Sequence, residues 1–284
     1  MKVLVTGATG FIGNYVVQSL LENEYEVIAT SSNKKKALKY SWFKDVTYIE
    51  FSLSDFDDSI NYYSFFQFPD KLIHLAWEGL PNYKSSFHID ENLPRHYSLL
   101  KNIISNGLTD LTVTGTCLEY GMQEGCLVED MPAKPANPYA EAKNSLRESL
   151  TVLQNQVAFA LKWVRLFYMY GKGQNPNSLF SQIDRALLHG DPVFNMSGGE
   201  QVRDYLPVEK VGEYIVKIAL QNRVTGIINC CSGEPVTVKK MVENYLKQKQ
   251  GSISLNTGYY PYTDYEPMNF WGDNTKLKSI LSNG

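Results

Sequence analysis

The chain opens Met1-Lys2-Val3-Leu4-Val5-Thr6-Gly7-Ala8-Thr9-Gly10-Phe11-Ile12-Gly13. Val3 to Val5 is a short apolar run with the character of a buried strand. Glycine then recurs every third residue, at Gly7, Gly10 and Gly13. An apolar spacing of helical period follows in Ile12, Val16, Val17, Leu20 and Leu21. Strand, glycine turn and helix in that order form a cradle for phosphate. Glycine permits the tight turn and a close approach of backbone, and the helix start offers free N–H groups and a partial positive charge. The expected ligand is a dinucleotide pyrophosphate held by Gly7, Thr9, Gly10, Phe11, Ile12 and Gly13. The spacing Gly-x-x-Gly-x-x-Gly differs from the more general Gly-x-Gly-x-x-Gly.

A single such unit cannot bury both faces of its strand, and 284 residues are enough for a large α/β core. Strand-like runs are expected at Lys2–Thr6, Glu26–Thr30, Thr47–Phe51, Lys71–Ala76, Asp110–Gly115 and Ala158–Arg165. Helical patterns near 13–22, 93–105 and 139–154 alternate with them. Alternation of this kind predicts a Rossmann-type, doubly wound parallel sheet, with ligands beyond the carboxyl ends of its strands. We therefore expect a dinucleotide-binding domain over residues 1–165. Residues 166–284 are expected to form mainly a smaller, less regular C-terminal substrate lobe, with a stretch near 205–235 returning to the first domain. A net charge of −3 does not point to nucleic acid or an anionic membrane. No apolar run approaches the ~20 residues of a membrane span. Four scattered cysteines show no metal-ligand spacing and suggest reduced thiols, so a cytoplasmic protein without a metal site is expected.

The end of the second strand bears on the cofactor. An acidic residue there would hold the ribose 2′-hydroxyl of NAD. The sequence instead reads Thr30-Ser31-Ser32-Asn33-Lys34-Lys35-Lys36, with no carboxylate. Hydroxyl groups and ammonium ions suit a 2′-phosphate. The expected cofactor is NADP(H) rather than NAD, contacted by Ser31, Ser32, Asn33 and Lys34. The lysines are equally explained as the solvated start of a surface helix.

Pro138-Tyr139-Ala140-Glu141-Ala142-Lys143 carries the candidate chemistry. Tyr139 and Lys143 are four apart and share one helix face. An ammonium beside a phenol favours the phenolate, so the Tyr139 pKa is expected to fall towards neutrality. Such a phenol can give a proton to a carbonyl oxygen, or take one from an alcohol, as hydride moves at carbon.

Glycine turn and Tyr-x-x-x-Lys together resemble the short-chain dehydrogenase/reductase superfamily. Thr-Gly-Ala-Thr-Gly-Phe-Ile-Gly resembles its extended, nucleotide-sugar-modifying branch, the NAD-dependent epimerase/dehydratase family. The resemblance runs from residue 1 to about 280, closer in the first half. It implies that Thr116, in Thr114-Gly115-Thr116-Cys117-Leu118-Glu119-Tyr120-Gly121, hydrogen-bonds the substrate oxygen with Tyr139. It further implies cofactor contacts from Ser52 (where the family usually has Asp) and Leu53, from Leu75, Ala76 and Trp77, from Asn92, and from Lys143. On the substrate side, Arg203 in Arg203-Asp204-Tyr205 is implied to pair with a diphosphate. Tyr168 stands where the family has a substrate-binding Asn, and Pro207 replaces a His. Cys117 and Leu118 occupy the positions of the Asp-Glu pair of the family's 4,6-dehydratases, so dehydration is not expected. Leu118 also takes the place of the Cys used by epimerase/reductases, which disfavours epimerisation at ring carbons.

The implied protein is a cytoplasmic homodimer acting on a nucleotide diphosphate sugar. The expected activity is NADPH-dependent 4-keto reduction of a dTDP- or CDP-linked 4-keto-6-deoxyhexose, as in surface-polysaccharide synthesis. A 4-epimerase holding NAD is the alternative. A non-catalytic NADP-binding sensor is a more distant one, because Tyr139 and Lys143 are both present.

Overall fold

The computed structural model describes residues 1–282. Strands β1 (Lys2–Thr6), β2 (Glu26–Ser31), β3 (Thr47–Glu50), β4 (Lys71–His74) and β5 (Asp110–Thr116) join two later strands, Ala160–Leu166 and Gly226–Cys230, in one sheet of seven. Across the sheet the order is 226–230, 160–166, β5, β4, β1, β2, β3, and every neighbouring pair is parallel. Helices follow the strands: α1 (Phe11–Glu22), α2 (Lys34–Ala37), α3 (Tyr62–Phe65), α4 (Leu93–Ser105), α5 (Pro138–Leu153), α6 (Leu179–His189), α7 (Val208–Leu220), α8 (Val238–Gln248) and α9 (Thr275–Leu281).

The two-residue period of the strands assigns the core. In β1, Val3 and Val5 face α1 and α7, where they meet Val16, Val17, Leu20, Val211 and Ile215. Leu4 points the other way, onto a layer formed by Leu99 and Ile103 of α4 and Leu146 and Leu150 of α5. Both sheet faces are thus covered, as a parallel sheet requires. Segment 208–230 supplies α7 and a strand of the main sheet, although the chain has by then already left it.

The intervening and later segments build a separate apolar cluster. Phe180 and Ile183 of α6 pack on Val242 and Tyr245 of α8, with Phe194 between them. Strand Val202–Pro207 pairs with Tyr168–Tyr170 on one side and Pro235–Thr237 on the other, which sets Tyr168 beside Tyr205. This small sheet lies at the carboxyl edge of the main one, where Leu166 leads directly into Tyr168.

At the opposite, amino edge, Asp110 sits between two buried lysines. Lys162 Nζ donates to both Asp110 oxygens at 2.8 Å and to the Ala219 carbonyl at 3.0 Å. Lys71 pairs with the same carboxylate and donates to Asn222 Oδ1 at 2.8 Å. Removing the only carboxylate of the cluster strands two desolvated ammonium ions. Asp110→Ala is expected to cost about 3–5 kcal/mol, read as a lower denaturant midpoint with the native far-ultraviolet spectrum retained below it.

Candidate active site

The glycine turn ends β1 and opens α1. A Cβ at Gly13 would lie 2.2 Å from the Gly7 carbonyl oxygen, and one at Gly7, where φ is +68°, would lie 2.8 Å from Ala76 N. The backbones of the turn, of α1 and of the chain after β4 therefore touch with no room for side chains. No side chain caps α1 at Gly10, so the N–H groups of its first turn have no side-chain acceptor. These features fit a pyrophosphate.

From this turn a groove runs along the carboxyl edge. Its lining includes Gly7, Thr9 and Gly10, then Ser31 and Ser32 after β2, Ser52 and Leu53 after β3, and Leu75, Ala76 and Trp77 after β4. Thr30, Lys36 and His74 line it as well, together with Thr6, Phe51 and Glu78, which the sequence did not single out. Phe11, Ile12 and Gly13 form the first turn of α1 rather than the lining. Asn33 and Lys34 lie at the α2 start, where Asn33 Oδ1 accepts the Lys36 N–H at 2.9 Å. Asn92 is buried, and its amide donates to the Glu78 carbonyl at 2.9 Å, bracing the loop after β4 instead of facing the groove. His74 is fully buried between Thr6 (2.8 Å) and His96 (2.8 Å), and burial and Lys143 push its pKa down to about 3, so it stays neutral.

Beyond Trp77 the groove reaches α5. Asn137 caps that helix by accepting the Ala140 N–H at 2.9 Å, and Pro138 opens it, which places Tyr139 in the first turn. The Tyr139 hydroxyl comes close enough to the Thr116 side chain, at the end of β5, for Thr116 to favour the phenolate. Lys143, one turn on, donates to the Thr114 carbonyl at 2.9 Å, and its Nζ lies 4.0 Å from the Trp77 ring centroid. Tyr139, Lys143 and Thr116 are therefore brought together, 8 %, 2 % and 8 % exposed. Aromatic rings close over them. Tyr83 and His88 lie 5.4 and 5.3 Å from the Tyr139 ring, and the Tyr139 N–H donates to the Tyr83 carbonyl at 3.1 Å.

The electrostatics differ from expectation. The Tyr139 pKa is raised, not lowered, because burial opposes the phenolate, and Tyr83, Glu119 and Cys117 add to this against the opposing effect of Thr116. Burial likewise pulls Lys143 down to about 7, with Glu119 opposing. The ammonium is directed at Trp77 and the Thr114 carbonyl, so desolvation outweighs its field on the phenol.

Arg203 and Tyr168 meet on the far side of Tyr139, in a second pocket that also holds Gln182, Phe194, Asn195 and Glu266. Arg203 is 2 % exposed. It donates to the Val202 and Met268 carbonyls at 2.9 and 3.0 Å and to Glu266 at 3.1 Å. Its charge is thus balanced by a carboxylate 63 residues away in sequence, a partner with no local signal. Cys117 lies nearby, and burial pushes its thiol well above the usual range, which keeps it protonated.

A glycine-cradled groove leading to a Tyr-x-x-x-Lys helix, on the carboxyl edge of a Rossmann-type sheet, defines a short-chain dehydrogenase/reductase. The model of the NAD dependent epimerase/dehydratase family matches residues 3–231, and the chain belongs to that family. It is 29% identical over 274 residues to dTDP-6-deoxy-L-talose 4-dehydrogenase (NAD(+)) of Aggregatibacter actinomycetemcomitans, covering 96% of this chain and 99% of that one. It is 26% identical to GDP-6-deoxy-D-talose 4-dehydrogenase of the same organism, over 100% of this chain and 92% of the relative. Among solved structures, UDP-glucuronic acid 4-epimerase from Bacillus cereus, in complex with UDP-glucuronic acid and NAD, superposes with a TM-score of 0.84 at 24% identity, covering 100% of this chain and 94% of that one.

The depressed Lys143 pKa has a consequence for stability. Between about 7 and the ordinary lysine value of 10.5 the unfolded chain binds more protons than the folded one, so stability rises with pH across that window. Lys143→Met is expected to unfold at higher denaturant than the wild type at pH 7. The gap should narrow steadily towards pH 10, and a gap independent of pH would contradict a neutralised lysine.

Proposed function

We propose that this protein is an oxidoreductase that interconverts the 4-keto and 4-hydroxy forms of a nucleotide-linked 6-deoxyhexose, with NAD(H) as cofactor. The observation that carries the reading is the burial of Tyr139, Lys143 and Thr116 together beside Trp77, which lines the dinucleotide groove. The two 4-dehydrogenase relatives support the sugar class and the reacting carbon. The name of the first, which specifies NAD(+), supports NAD(H) over the NADP(H) expected from the second strand.

The bound nicotinamide supplies or accepts the hydride at the sugar carbon. In the reducing direction Tyr139 gives its phenolic proton to the former carbonyl oxygen, leaving an alcohol; in the oxidising direction it takes that proton back. Thr116 donates a second hydrogen bond to the same oxygen and so holds it within reach of the phenol. Proton transfer requires Tyr139 to reach the phenolate during turnover, which a raised pKa resists. A protonated Lys143 would lower that cost. Tyr83, His88 and Trp77 keep water from the phenol. Arg203 is the group suited to a diphosphate, since its guanidinium presents paired donors. Glu266 must then share it or give way.

A 4-epimerase is the second reading, favoured by the B. cereus fold match and by 24% identity to UDP-glucose 4-epimerase of Halalkalibacterium halodurans. The two separate on one assay. The oxidoreductase should steadily consume NADH with dTDP-4-keto-6-deoxyglucose. The epimerase should show no net change in cofactor absorbance and should release NAD on denaturation. Tyr139→Phe should lower kcat by about 10²–10⁴-fold, while cofactor binding, followed by fluorescence titration, changes little. Undiminished turnover would remove Tyr139 from the mechanism.

A further inference from the structure

The absence of an acid at the end of β2 led to the expectation of a 2′-phosphate. The structure supplies a carboxylate to that place from the neighbouring strand. Ser31, the last residue of β2, is paired in register with Glu50, the last residue of β3. The Glu50 carboxylate accepts the backbone N–H of Lys34 at 2.7 Å, beside the Ser31–Ser32 wall of the cofactor groove. We propose that Glu50 is the residue that selects NAD(H) against NADP(H), by holding a fixed negative charge where a 2′-phosphate would have to approach. The inference deepens the cofactor reading above and rests on it.

Two further contacts point the same way. A 2′-phosphate is dianionic and needs several donors at once. At the β2–α2 junction the Lys34 N–H is taken by Glu50 and the Lys36 N–H by Asn33 at 2.9 Å. The Ser31 hydroxyl is engaged with the Tyr48 hydroxyl at 2.9 Å. The Ser31 hydroxyl and two backbone N–H groups of the junction are thus satisfied by the protein itself.

Lys34, Lys35 and Lys36 pull in the opposite direction, and Lys36 lines the groove. They are exposed, on flexible stems in high dielectric, where screening weakens a single charge. The Glu50 carboxylate is also exposed at its rim, but strand register and a backbone hydrogen bond hold it in one position. A fixed charge acts on a bound phosphate without first paying the entropy of localising a side chain. The 2′-hydroxyl of NAD carries no charge, so the same carboxylate does not oppose it.

The test is binding, independent of any sugar. NADH and NADPH are titrated into the purified protein and followed by nicotinamide fluorescence, at low and at moderate salt. The wild type should bind NADH at least about tenfold more tightly than NADPH. Glu50→Gln keeps an acceptor for the Lys34 N–H and removes the charge. It should tighten NADPH about tenfold while leaving NADH within about twofold, with the gain shrinking as salt rises. Glu50→Ser should behave alike if glutamine perturbs folding. A wild type that prefers NADPH, or NADPH affinity unmoved in both variants, would overturn the role of Glu50. Failure of the wild type to bind either dinucleotide would overturn the cofactor reading itself.

Discussion

The active edge of this protein depends on one buried carboxylate. Glu119 is fully buried and accepts hydrogen bonds from Arg165 Nε at 2.8 Å, from the Trp163 indole at 3.0 Å and from the Thr116 N–H at 2.8 Å. It thereby ties the end of β5 to the adjacent strand 160–166. There is no spare volume around it. A Cβ at Gly115 would lie 2.2 Å from the Trp163 Nε1 and 2.4 Å from the Glu119 Oε1. Arg165 in turn lies 4.2 Å from the Tyr120 ring centroid, and the Tyr120 hydroxyl donates to Asn229 on the last strand of the sheet at 2.8 Å. A buried pair of this kind stabilises only when both partners and their remaining donors are satisfied. Here Glu119 is fully engaged and holds the Thr116 backbone at the end of β5, while Arg165 Nη1 stays buried without a hydrogen-bond partner.

The same dryness that aligns these groups also mistunes them. Tyr139 and Lys143 are so enclosed that both favour their neutral forms. Geometry for proton transfer is therefore in place with the charge beside the phenol weakened by burial. Enclosure is useful for chemistry that must exclude water, and its electrostatic cost falls on the two groups at the centre. The substrate pocket has a parallel arrangement, with the Arg203 charge already matched by Glu266. In both places the protein holds a reactive charge in check by burial or by a partner.

Much of the parallel sheet was legible. The strand runs at Lys2, Glu26, Thr47, Lys71 and Asp110 start where the strands start, because buried parallel strands read as short apolar stretches bounded by turns. Helix α5 was legible through Pro138 and the Tyr139–Lys143 spacing. The strand at Gly226–Cys230 was not read as part of the main sheet in detail. Its neighbour in that sheet is 160–166, and nothing local announces a pairing across some sixty residues. Within the site, the glycine cradle and the three groups Tyr139, Lys143 and Thr116 were visible as motifs. The lid residues Tyr83 and His88, the Arg203 partner Glu266 and the carboxylate Glu50 were invisible. Each acts on a residue far away in the chain, or on a neighbouring strand, and has no periodicity or spacing of its own. The Asn92 contact was invisible for a similar reason: its amide satisfies the Glu78 carbonyl of a loop whose path the sequence does not reveal.

Sequence alone determined the features that arise from local chemistry. Glycine at residues 7, 10 and 13 dictates a tight backbone turn suited to cradling phosphate, and a tyrosine four residues before a lysine dictates a shared helix face. Tertiary structure decided the electrostatics. Charge acts through space and desolvation through packing, so the pKa shifts of Tyr139 and Lys143 follow from burial and from groups such as Tyr83 and Glu119 on other segments. The carboxyl end of the second strand carries no acid of its own, yet it is not free of negative charge, because strand pairing sets Glu50 beside Ser31.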